Sequence, residues 1–137
     1  MVKNIVHDTI FLAQKSEPAT PADIQDIMDL MDTLKAHKAE CVGMAANMIG
    51  VRKNIIAINT GFVQLLMVNA KIVKKSKPYE TKEGCLSFLG GPVKTTRYDE
   101  IEVEYQDMNF KPKKEEFSGY TAQIIQHELD HVEGKLI

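Results

Sequence analysis

Gln126-His127-Glu128-Leu129-Asp130-His131 carries two histidines four residues apart, with a glutamate directly after the first. On an α-helix, positions i and i+4 share a face one turn apart, so both imidazoles can reach one metal ion. Glu128 stands beside them, close enough to handle a proton of an attacking water. The flanks suit a helix. Ser118 is placed as an N-cap, Ala122, Ile124, Ile125 and Leu129 supply apolar positions, and Gly134 is a C-terminal stop. Half of the four histidines fall in this single turn, which favours a metal over a helix that merely carries two solvated histidines.

The remaining chain must then be a scaffold that brings further ligands to this helix. Its 137 residues suit one domain, 1–137, with a real core. An apolar content of 44% and a charged content of 26% are ordinary for a globular chain. A net charge of −2 gives no electrostatic case for nucleic acid or an anionic membrane. No apolar run approaches membrane-spanning length, and the first residues lack the basic-then-apolar layout of a signal peptide. Two cysteines, Cys41 and Cys85, make no disulfide framework and point to the cytoplasm.

Residues 1–19 show little regular pattern and read as turns and extended pieces. Thr20-Pro21 announces a helix, with Thr20 as N-cap, Pro21 at the first helical position and Asp23 in the first turn. Ile24, Ile27, Met28, Met31 and Leu34 form the apolar stripe expected to face the core, with Asp26, Asp29 and Asp32 mostly elsewhere. Cys41 to Gly50 is small and apolar, the composition of a loop or edge strand that another chain can pair with. From Asn54 the period changes to two. Ile55 to Asn59, Val63 to Val68 and Lys71 to Lys75 read as three strands, with a turn near Thr60-Gly61. Ile101 to Tyr105 alternates cleanly, Asp107 to Pro112 turns the chain, and Lys113 to Phe117 returns as an edge strand. The expected fold class is α+β, with mostly antiparallel strands around the C-terminal metal-binding helix.

A catalytic site of this kind needs three protein ligands and one open position. Little sequence follows His131, and Glu133 lies too near along the helix, so the third ligand is sought upstream among Cys85, Cys41, His7, His37 and several carboxylates. Cys85 has the best context. In Glu83-Gly84-Cys85-Leu86-Ser87, Gly84 permits an unusual backbone and the Leu86 amide is left to point at a ligand.

Glu83-Gly84-Cys85-Leu86-Ser87 followed by Gln126-His127-Glu128-Leu129-Asp130-His131 resembles the second and third motifs of the peptide deformylases, which remove the formyl group from the amino terminus of nascent bacterial polypeptides. That family's first motif is glycine, apolar, glycine, apolar, alanine, alanine, any residue, glutamine. Val42-Gly43-Met44-Ala45-Ala46-Asn47 is similar to its middle, whereas Cys41 stands at its first glycine and Met48 at its glutamine. A C-terminal extension seen in many deformylases is not expected here.

The resemblance implies a metal held by Cys85, His127 and His131, with Fe(II) favoured in the cell and Zn(II) a common replacement. Glu128 would take the proton of the attacking water and pass it to the leaving amine, and the Leu86 N–H would stabilise the oxyanion. An N-formylmethionyl peptide, from nascent chains at the ribosome, would lie extended along Val42-Gly43 as an added strand. Its methionine side chain would enter a pocket lined by Val42, Glu83, Tyr120, Gln123, Ile124 and His127, beside Gly84. Arg97 would pair with Glu83 in support, or else be an exposed charge at a strand start. Met48 lacks the hydrogen-bond donor that the family's glutamine offers the oxyanion. The implied activity is therefore a slow deformylase. The alternative is a deformylase-like metal-binding protein with weak or no such activity, acting on another formyl or amide substrate or in regulation.

Overall fold

A computed structural model describes residues 1–39, 41–60, 64–85 and 88–137, with the backbone alone for 88–90. Five strands form one antiparallel sheet in the order β1-β2-β3-β4-β5: β1 Gly43–Ala45, β2 Ile55–Asn59, β3 Gln64–Cys85, β4 Phe88–Gln106 and β5 Pro112–Ser118. Helix α1 is a single turn, Thr9–Leu12. Helix α2 spans Ile24–Ala36, and α3, the helix of the two histidines, spans Gly119–Val132.

The sheet is covered on both faces, and β2 shows why its sequence is apolar throughout. Ile56 and Ile58 point into a core shared with Ile125 and Leu129 of α3 and Ile101 and Val103 of β4. Ile55 and Ala57 point the other way, into a second core with Ile27, Leu30 and Leu34 of α2 and with Met44 and Met48. A strand buried on both sides loses the polar half of its alternation. Farther along the sheet the alternation returns. Ile101, Val103 and Tyr105 of β4 are buried, while Glu102 and Glu104 face the Lys114 ammonium across β5.

The two strands expected over 63–75 are parts of one long strand interrupted at Asn69, where the β3–β4 register shifts between Val68 and Lys71. Asn69 adopts a positive φ of 52°, and its side chain is fixed by the Ala19 N–H at 2.7 Å, the Ala19 carbonyl and Gln106. A left-handed asparagine in a bulge breaks the period of two without ending the strand. Gly61 and Val63, part of the turn and strand expected there, lie outside the described residues. The β5 edge strand and the preceding turn stand where the sequence puts them.

At the amino-terminal side, the expected turns include the short helix α1, capped by the Asp8 carboxylate. The start of α2 is as read. A 3-10 turn over Pro21–Asp23 leads into it, with Asp23 Oδ2 accepting the Thr20 N–H at 2.8 Å. Its buried stripe is not as read. Ile27 and Leu34 are in the core, but Ile24 and Met28 are exposed, and Leu30, Thr33 and Asp29 are buried in their place. The polar members of that face are satisfied by their own helix and by the first residues of the chain, since Thr33 Oγ1 donates to the Asp29 carbonyl at 2.7 Å and accepts the Lys3 N–H. Asp29 Oδ1 accepts from Gln25. A helix face whose polar groups all find partners can be buried at little cost, and apolar periodicity does not reveal it.

Two glycines set how α3 sits. A Cβ on Gly43 would lie 2.6 Å from Ile124 Cγ2 and 2.9 Å from Glu128 Oε2, so β1 approaches the helix as closely as it does only without a side chain. Gly134, at φ +83°, turns the chain out of α3 against the Ala13 carbonyl. Ser118 occupies the N-cap position as expected, but its side chain makes no capping hydrogen bond.

Candidate metal centre and cleft

Three elements meet at the last two turns of α3. His127 and His131 project from one face of that helix, Cys85 closes β3, and Met48 comes from the 3-10 turn Ala46–Ile49 behind them. Cys85 Sγ and the two imidazoles place their ligand atoms within 4.8 Å of one another. The two Nε2 atoms face each other at 3.0 Å. Tetrahedral zinc with Zn–N bonds of 2.0–2.1 Å requires nitrogens about 3.4 Å apart, so a small side-chain opening admits the ion. The donor set, one thiolate and two imidazoles, suits a single divalent transition metal. His37 is not part of the cluster, its Nδ1 lying 2.9 Å from the Thr33 carbonyl at the end of α2, and His7 is exposed. The Cys41 thiol donates to the Gly43 carbonyl at 2.7 Å.

Around the cluster runs a buried polar network. Arg97 of β4, only 3% exposed, grips the Glu83 carboxylate through Nε and Nη2 and reaches Asp130 Oδ2 through Nη1 at 2.6 Å. The exposed alternative for Arg97 is thereby ruled out. Glu83 Oε1 in turn takes His127 Nδ1 at 2.7 Å, which leaves Nε2 of that ring aimed at the cluster. Burial opposes the charge on Glu83, but hydrogen bonds from His127, Arg97 and Gln123 hold its carboxyl down at about 2. Burial also works against a charged His127, yet Cys85 and Glu83 raise its pKa. His131, buried beside it, is driven down. Glu128 is buried at 4% exposure, and desolvation pushes its carboxyl up to about 7. Its Oε1 has no hydrogen-bond partner among the described residues, and the same holds for His131 Nδ1. A buried carboxylate oxygen without a donor, next to converging ligands, is arranged for a molecule that arrives from outside.

The cleft itself holds about 420 Å³. Val42, Gly43, Glu83, Gly84, Tyr120, Gln123 and Ile124 all line it, together with Cys85, His127 and Glu128. Tyr120 and Val42 stand exposed at the rim, and β1 is the sheet's outer strand, with β2 as its only neighbour among the described residues. Leu86 lies outside the described residues. Met48 is fully buried, with Sδ 3.9 Å from Cys85 Sγ and 3.4 Å from the Ala45 N–H.

Sequence reasoning missed three residues that hold the helix in place. Gln126 bonds both backbone groups of Tyr98, donating to the carbonyl at 2.7 Å and accepting the N–H at 2.8 Å. Asn47 Nδ2 donates to the His131 carbonyl at 2.9 Å, tying the 3-10 turn to α3. Asp130 anchors Arg97. Gln126 and Asp130 flank the histidines within the quoted motif, a hint that was available. Asn47 gives no signal beyond its place in an apolar run.

A cysteine and two histidines converging at a cleft, with a desolvated glutamate beside them, define a metal-dependent hydrolase of the His-Glu-x-x-His kind. A family model described as polypeptide deformylase matches residues 2–137. A peptide deformylase of Clostridium beijerinckii is 56% identical over 137 residues, all of both chains. Four further peptide deformylases, 34–39% identical, are longer proteins of which the chain spans 56–64%. The crystal structure of the Thermotoga maritima peptide deformylase superposes with a TM-score of 0.88 at 28% identity, covering 99% of this chain and 95% of the other. That from Legionella pneumophila does so at 0.88 and 31%, covering 99% and 83%. The chain belongs to the peptide deformylase family.

Proposed function

We propose that this chain, working as one domain, hydrolyses the N-formyl group of peptides that begin with formylmethionine and releases formate and a free amino terminus. The observation that carries the reading is the convergence of Cys85, His127 and His131 on one point of a cleft that Glu128 also faces. Those three residues would hold a divalent ion, which would supply water of lowered pKa, toward ~7, and polarisation of a carbonyl. Fe(II) is the ion we assign in the cell, with Zn(II) able to replace it, since thiolate and imidazole accept both. Glu128 takes the proton of the attacking water and delivers it to the leaving amine. The Leu86 N–H donates to the developing oxyanion.

The peptide adds as a strand along Val42-Gly43 at the outer edge of β1, where the Gly43 carbonyl exchanges the Cys41 thiol for a peptide N–H. Its first side chain enters the space between Val42, Tyr120, Gln123 and Ile124, with Gly84 leaving room at the mouth. Such substrates arise on nascent chains at the ribosome, which places the protein in the cytoplasm. No helix among the described residues is long and apolar enough to cross a membrane. The test is formate release from a formyl-methionyl peptide by anaerobically purified protein of known metal content. Metal-replete protein that releases no formate refutes the reading.

The ligand set carries its own expectations. Cys85→Ala should lose most of its metal, whereas Cys41→Ala, whose thiol donates to the Gly43 carbonyl, should keep it. Full occupancy in Cys85→Ala, by elemental analysis, would sink the assignment. Glu83→Gln should weaken metal binding by about 10–100-fold, because the His127 ring loses the carboxylate that orients it. Chelator competition on the folded variant checks this, and unchanged affinity means that the Nδ1 contact does not orient the ligand.

A further inference from the structure

Gln123 lines the cleft beside Ile124, Val42, Tyr120 and Glu83, and its surroundings fix which way its amide faces. Its Nε2 lies 2.9 Å from Glu83 Oε2. A carboxylate gripped by the Arg97 guanidinium through both oxygens accepts hydrogen bonds, so the amide nitrogen must be the atom turned toward it. The amide oxygen therefore lies on the opposite side, and it makes no hydrogen bond among the described residues. Gln123 is half-buried and lines the cleft, one helical turn before His127. The network that orients the metal-facing histidine thus also holds an acceptor at the wall of the substrate cleft.

We propose that Gln123 is a specificity-determining residue, whose side-chain oxygen widens the pocket's range beyond methionine to formyl peptides with a first side chain that ends in a hydrogen-bond donor. This rests on the reading of the cleft given above. A wholly apolar side chain that fills the space strips water from that oxygen and returns nothing. A terminal amide of similar length replaces the lost hydrogen bond. The net worth of one such bond at a half-exposed site corresponds to about three- to tenfold in relative kcat/KM.

The experiment compares formyl-glutaminyl with formyl-norleucyl peptides, which match in length and differ in the terminal donor. It uses metal-loaded wild type, Gln123→Leu and Gln123→Met. Formate release gives the kcat/KM ratio of the two peptides, and calorimetry of the corresponding unformylated peptides gives the ratio of their affinities. The expected result is a fall of about three- to tenfold in the glutaminyl-to-norleucyl ratio in both variants. Ratios within twofold of wild type in folded variants overturn the inference. If neither peptide nor a formyl-methionyl peptide yields formate, the deformylase reading fails, and the affinity ratio still decides the role of Gln123. A variant that does not fold is replaced by the other, since leucine and methionine load the helix surface differently.

Discussion

Glu128→Ala should keep its metal and lose formate release by about 10²–10⁴-fold, the usual weight of a positioned general acid–base. The residue sits on the metal-facing turn of α3, but its neighbour His127 occupies the ligand direction, and the cluster of converging ligand atoms contains Cys85, His127 and His131 without it. Desolvation sets its chemistry. With Oε1 unpaired and the carboxyl pushed up to about 7, both protonation states are accessible near neutral pH, as proton uptake and return within one cycle require. The backbone of β1 packs against it so closely that only glycine fits at position 43. Alanine removes the carboxyl without new bulk, so the fold should survive. Formate release and elemental analysis on one preparation decide the matter. Loss of metal together with activity would show that Glu128 ligates or supports the site.

How much of this site could be read from the sequence depended on how local each signal was. His127 and His131 are joined by one helical turn, so spacing alone put them on one face. Cys85 is 42 positions away, and its arrival beside them rests on the β3–β4 pairing that carries the end of β3 to α3. No local pattern contains that, and only the motif around it pointed there. Arg97 shows the limit from the other side. Its charge reads as solvated by habit, yet at 3% exposure it is neutralised by Glu83 and Asp130, two carboxylates from separate elements.

The fold divides along the same line. The strand Ile55–Asn59, the turn over 107–112 and the start of α2 are written in adjacent residues, and the structure places them accordingly. The buried face of α2 is rotated from the apolar stripe because Thr33 and Asp29 find partners in their own helix and in Met1 and Lys3, and are buried beside Leu30. The bulge at Asn69 depends on Ala19, fifty positions earlier, whose backbone its side chain grips. A partner that distant leaves no mark on the local alternation.

Met48→Gln should raise turnover on a formyl-methionyl peptide by up to about 10²–10³-fold, equivalent to roughly 2.7–4 kcal/mol of transition-state stabilisation. Met48 stands against the sulfur of Cys85 with no donor to offer, so under the proposed mechanism the oxyanion lacks the hydrogen bond that a glutamine there would give. The substitution is close in length and volume, and the structure already provides for half of the new amide. The Ala45 N–H that now points at Met48 Sδ can be accepted by the glutamine oxygen, which frees the amide nitrogen to donate toward the reacting carbonyl. KM should change far less than kcat, since that bond strengthens as charge develops. An amide buried without its partners would instead cost about 1–3 kcal/mol, so stability is measured beside the kinetics. A stable, metal-replete Met48→Gln with unchanged formate release would mean that another group already supplies the missing donor. Inactivity of both wild type and variant would make a metal-binding protein acting on another formyl or amide substrate the better description.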